Sequence, residues 1–171
     1  MKYDKFIGRY FLILISISFL VSCTSQSSGK DETGKIQEMI NCIIDAGKEE
    51  DFEKEQLLCD EMYSFIRNRH DSKAELWLAH SYFILCCYNG GSENDVKMKL
   101  ELYTEKYVGI GRLWESVKDM DAIWFSNIQR CEELLIRAYE DNPSLTMKEL
   151  EELYINSKTF HAFANLVIKN S

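Results

Sequence analysis

The chain has 171 residues, a formal net charge of −8, and one proline, Pro143. That acidity, with no cluster of Lys and Arg and no aromatic platform beside one, excludes a module that grips nucleic-acid phosphates. Scarce proline and long runs rich in Glu, Lys, Leu and Met favour helix throughout, and no segment reads as a strand.

At the amino terminus, Lys2, Lys5 and Arg9 precede the uncharged run from Tyr10 to Val21. A basic stretch followed by a short apolar core has the form of an export signal. Twelve residues at 1.5 Å each reach about 18 Å, against roughly 30 Å of hydrocarbon, so the run is too short to span a membrane. It closes on Leu20-Val21-Ser22-Cys23, which resembles the bacterial lipobox. The resemblance implies cleavage between Ser22 and Cys23 and diacylation of the Cys23 thiol, with the new amino terminus usually acylated as well. Two or three acyl chains hold a protein on a bilayer far longer than one does.

Thr24, rather than an aspartate, follows Cys23, so the expected location is the outer membrane of a bacterial envelope, on its periplasmic face more than its surface. Cleavage removes Lys2, Lys5, Arg9 and Asp4 and takes the net charge from −8 to −10. Residues 24–35 contain no aliphatic or aromatic side chain and read as a flexible tether. Three parts are therefore expected: a leader over 1–22, a lipidated cysteine and tether over 23–35, and one helical domain over 36–171.

Within that domain, Ile36, Met39, Ile40 and Ile43 form a helical stripe that Gly47 is expected to end. Asp51 caps a second helix, whose Leu58, Met62, Phe65 and Ile66 share one face. Ser72-Lys73-Ala74-Glu75 reads as a capping box opening a third helix that Asn89-Gly90-Gly91 closes. A fourth helix starts after Ser92 and carries Val96, Leu100, Tyr103 and Tyr107, and a short fifth runs from Arg112 to Lys118. The sixth spans Asp121 to Tyr139 and stops at Asp141-Asn142-Pro143. Thr146-Met147-Lys148-Glu149 reads as a second capping box, opening a seventh. The last, Thr159 to Lys169, presents Phe160, Phe163, Ala164 and Val167.

Taken as antiparallel pairs, these helices begin near Ile36, Lys73, Ile110 and Met147, at steps of 37 residues. Trp77 with Ser81 four residues on, and Ala138 with Pro143, resemble positions of the tetratricopeptide repeat, although the other units lack the tryptophan and most of the small residues. The expected fold is all-α: a tetratricopeptide-like array or an irregular helical bundle.

An array would offer a groove for a protein or peptide partner, with Trp77, His80, Ser81 and Ile84 on one side of the third helix as its contacts. Trp124 and Phe125 are neighbours and cannot both point inward. Five cysteines besides Cys23 cannot all pair; Cys42 with Cys59 would link the first two helices, and the vicinal Cys86 and Cys87 would suit a redox pair or serve as small apolar packing. His70, His80 and His161 fall in no nucleophile, phosphate or metal motif, Gly109-Ile110-Gly111 lacks the third glycine of a phosphate loop, Asp119 and Asp121 suit a helix start, and Glu132-Glu133, Glu149 and Glu151-Glu152 read as solvated faces. No catalytic residue, metal or cofactor is expected. The sequence points to a membrane-anchored envelope lipoprotein that binds or supports a protein assembly. An immunity-type inhibitor that occludes a basic toxin is the alternative.

Overall fold

The computed structural model describes residues 29–89, 99–100, 122–154 and 157–171. These form six helices and no strand: α1 Gly29–Lys48, α2 Phe52–Ile66, α3 Ser72–Asn89, α4 Ala122–Asp141, α5 Pro143–Tyr154 and α6 Lys158–Asn170. None is long and apolar enough to cross a membrane. The lipobox, the helix expected from Ser92 apart from Lys99 and Leu100, the helix expected at Arg112 to Lys118, the glycines at 109 and 111 and the aspartates at 119 and 121 lie outside the described residues. The chain divides into two compact units between Met62 and Tyr63, within α2.

In the first unit, α1 buries the expected Ile36, Met39, Ile40 and Ile43, and Ile44 and Ala46 besides. The helix also takes in residues 29–35 of the expected tether. Once the apolar stripe has nucleated a helix, polar residues ahead of it join for little added cost. At the other end, Gly47 stays inside the helix, and Glu50 takes the left-handed position with φ of 57°. Its N–H donates to Gly47 O at 3.2 Å and the Asp51 N–H to Ala46 O at 3.0 Å, the pair of bonds of a Schellman turn. Asp51 then caps α2 through its carboxylate, which accepts from the Lys54 N–H at 3.1 Å. The buried line of α2 is Glu55, Cys59, Met62 and Ile66, rotated from the expected face so that Leu58 and Phe65 lie at its margin. Small Cys59 is accommodated inside where a larger residue would hold the helix further out.

The second unit gathers around α4, which packs most extensively on α3 and also touches α5 and α6. Its inner stripe is Trp124, Asn127, Ile128, Cys131, Leu134, Leu135 and Ala138, at helical spacing. Trp124 is fully buried and Phe125 half-buried, as their adjacency requires. Helix α6 buries Phe160, Phe163, Ala164 and Val167, the four expected. Helix α3 is apolar on nearly every side, with Ala74, Leu76, Leu78, Ala79, Tyr82, Phe83, Leu85 and Cys86 all buried. A helix without an outward polar face is a core element.

Both expected capping boxes sit elsewhere. The N-cap of α3 is Asp71, whose carboxylate accepts from the Ala74 N–H at 3.0 Å, so Glu75 falls beyond the capping position. Helix α5 starts at Pro143, with Asn142 as the cap accepting from the Leu145 N–H at 3.1 Å. Thr146 is buried, and its hydroxyl donates back to Ala138 O of α4 at 2.7 Å. Met147 is thus interior to α5 and Ile36 interior to α1, so the steps of 37 do not mark the starts of these two helices; the start expected near Ile110 lies outside the described residues, and within the second unit α3, α5 and α6 gather on α4.

The released Glu75 is fully buried and accepts from Arg137 Nη2 at 2.6 Å, while the same nitrogen donates to Ile66 O at 3.2 Å and Arg69 O at 3.1 Å. One α4 side chain therefore holds the end of α2, the following turn and the first turns of α3. Seven residues earlier, Arg130 donates to the Tyr82 hydroxyl at 3.0 Å and lies 5.2 and 5.5 Å from the ring centres of Tyr63 and Tyr82.

Three outcomes are expected. Glu50→Gly relieves the left-handed backbone and raises stability by about 0.5–1 kcal/mol in thermal melts. Arg137→Met strands a buried carboxylate and lowers stability by roughly 2–5 kcal/mol, and adding Glu75→Gln recovers part of the loss in a double-mutant cycle. The third concerns acid. Glu55 is 5% exposed, and burial lifts its carboxyl from 4.5 to about 7. The folded chain holds that proton more tightly than the unfolded chain, so the contribution is complete below pH 4.5 and lost as pH rises through about 7. Burial moves Glu75 and Glu132 the same way, to about 7. Melting temperature therefore falls from pH 5 to pH 8, and Glu55→Gln makes that slope shallower.

Candidate functional site

The expected contacts on α3 are placed by its enclosure. Ser81 is 4% exposed, and its hydroxyl donates back to Trp77 O at 3.2 Å, which leaves it no surface to offer. His80 lies against Phe160 of α6, ring centres 4.9 Å apart, and Phe83 packs on Phe160 and Phe163 at 5.4 and 5.9 Å. Trp77 and Ile84 are half-buried. The four share a helix side on which Ser81 is buried and His80 packs on α6, while Trp77, His80 and Ile84 each keep partial exposure. The signal that marks this was present in the sequence: apolar residues around the whole circumference of α3.

An open cleft lies instead where α5 and α6 meet. It has a volume of about 420 Å³ and is lined by Met147, Glu151, Tyr154, His161 and Asn165. Spacings of four and three along α5 set Met147, Glu151 and Tyr154 on one flank, and a spacing of four on α6 sets His161 opposite with Asn165. Leu150 of α5 and Phe160 and Ala164 of α6 are buried, which turns the intervening residues outward. The volume falls within the range usual for small-ligand and side-chain pockets.

Its aromatic wall is preset. Tyr154 meets His161 edge to face with ring centres 4.8 Å apart, and Lys158 Nζ lies 5.9 Å from the Tyr154 ring centre. Asn165 fixes the imidazole from the next turn, its side-chain amide 3.1 Å from the ring nitrogens and donating to His161 O at 3.0 Å. Tyr154 remains 46% exposed, one of the three large apolar side chains most open to solvent among the described residues, with Leu57 and Ile123. A rigid aromatic with one open side is a low-entropy contact for a partner.

The carboxylates of α5 differ in their partners. Glu149 pairs with Lys73 and Glu152 with Lys148, each at 3.7 Å. Glu151, on the cleft wall, has no cationic partner among the described residues. Of the two α4 glutamates expected on a solvated face, Glu132 is half-buried, while Glu133 is exposed as expected and accepts from the Tyr63 hydroxyl at 2.6 Å.

None of the five described cysteines is in a disulfide. Cys42 is exposed while Cys59 is buried, so the expected bridge between them is not formed. Cys86 is buried with its thiol donating to Trp124 O at 3.6 Å, and Cys87 is half-buried, the two diverging as helix neighbours must. Burial pushes the Cys131 thiol well up, with Cys87 adding to the rise. Among the described residues no group of three or more His, Cys, Asp and Glu is placed to hold a metal ion. His70 is likewise spoken for, its Nδ1 lying 2.9 Å from both Asp141 carboxylate oxygens.

No protein-family model matches the chain, and neither a curated protein nor a solved structure matches it significantly.

Proposed function

We propose that the chain is a lipid-anchored envelope protein whose helical body docks a protein partner. The lipobox at Leu20 to Cys23 supports the anchor. The observation that carries the docking reading is the α5–α6 cleft, where the exposed Tyr154 ring and Glu151, which has no cationic partner among the described residues, face outward beside the His161 imidazole. Leu150, Phe160 and Ala164 are buried behind it, and pre-ordering of contact residues lowers the entropy cost of association. Trp77 and Ile84 belong to the supporting core in this reading.

Fatty-acid labelling of cells that produce the full chain is expected to tag the wild type, with Cys23→Ala losing both label and membrane retention. Affinity capture from detergent-solubilised membranes is expected to recover a partner with wild type and with Leu57→Ala, and to recover at least fivefold less with Tyr154→Ala. Equal recovery by Tyr154→Ala, with its helical circular dichroism unchanged, contradicts the cleft as the docking site.

A further inference from the structure

We infer that the α5–α6 cleft receives the ammonium or guanidinium head of a lysine- or arginine-bearing segment of the partner protein, a specification that rests on the docking reading above. Three features of the cleft converge on a cation. Among the described residues Glu151 is the carboxylate of its run with no lysine paired to it, since Lys73 and Lys148 are taken by Glu149 and Glu152. A carboxylate with an open side attracts a complementary charge at short range. Tyr154 supplies the second feature. Its ring is 46% exposed and offers a π face to a cation; the Lys158 ammonium, 5.9 Å from the ring centre and on an exposed side chain, is one that an incoming head group displaces.

Met147 is the third, a flexible apolar side chain on the same wall, suited to the methylene stem that a lysine or arginine lays down behind its charged head. The Asn165 amide nitrogen is directed at His161, 3.1 Å from its ring nitrogens and donating to its carbonyl oxygen at 3.0 Å, which helps to shape this wall. At about 420 Å³ the open cleft has room for a long side chain. The formal charge of −8 adds a long-range pull on a basic segment and makes its capture dependent on ionic strength.

The test titrates the lipidated full-length protein, in neutral detergent, into a fluorescein-labelled peptide of alternating lysine and serine and into its glutamate counterpart. Binding of the lysine peptide, weakened by added salt, with none of the glutamate peptide, is expected. Glu151→Gln is expected to weaken it about tenfold, while Glu152→Gln, which changes the net charge equally but lies outside the cleft lining, leaves it within twofold. Equal loss in the two variants, or none in Glu151→Gln, overturns the inference by reducing it to bulk charge or less. The two levels separate cleanly: partner capture lost with Tyr154→Ala but untouched by Glu151→Gln keeps the docking reading and discards the cationic occupant.

Discussion

The Arg137 guanidinium is the constraint on which the second unit depends. Burying Glu75 removes a carboxylate from water, and the end of α2 leaves carbonyls that need donors; one side chain from α4 answers both. The arrangement is self-consistent only in one antiparallel register of α3 and α4. Glu75 with Arg137, Tyr82 with Arg130, and Cys86 with the Trp124 carbonyl fall in order along the two helices. The apolar stripe of α4 would tolerate sliding along an α3 that is apolar all round, whereas the polar pairs do not. Here the hydrophobic effect supplies the adhesion and three polar contacts supply the address.

Much of the local structure was legible from residue spacing. The stripes of α1 and α6 contain the residues that pattern alone assigns to the core, and the stop at Asn142-Pro143 falls where proline chemistry puts it. Caps were read one to four residues late because Ser72 and Thr146 satisfy the same side-chain rule as Asp71 and Asn142, and only the backbone reveals which oxygen meets the third N–H. Glu75 was hidden by this error: as a capping residue it would face water, and as the fourth residue of the helix it turns inward. The left-handed Glu50 could not be read at all, because glycine at position 47 offered the better-fitting stop.

The candidate site was the least visible part. Met147 and Asn165 lie on different helices with no fixed motif between them, and their convergence follows from how α5 folds back on α6. Trp77, His80, Ser81 and Ile84 gave the more conspicuous sequence signal, yet only Ser81 of the four is buried while Trp77, His80 and Ile84 are half-buried on a helix that is apolar on nearly every side. An acidic run ordinarily implies solvation. On α5 its members are distinguished only by which lysine lies within reach, and that is a property of tertiary structure.

Cys59, Cys86 and Cys131 are sealed in the interior, while Cys42 alone of the described thiols is exposed. The native state therefore keeps most of its sulfur chemistry latent. A molecule that opens in an oxidising compartment releases those thiols together, and disulfide scrambling then competes with refolding. Survival there is governed by how seldom the bundle breathes, so that the lifetime of the closed state, more than its equilibrium free energy, sets how long the chain endures.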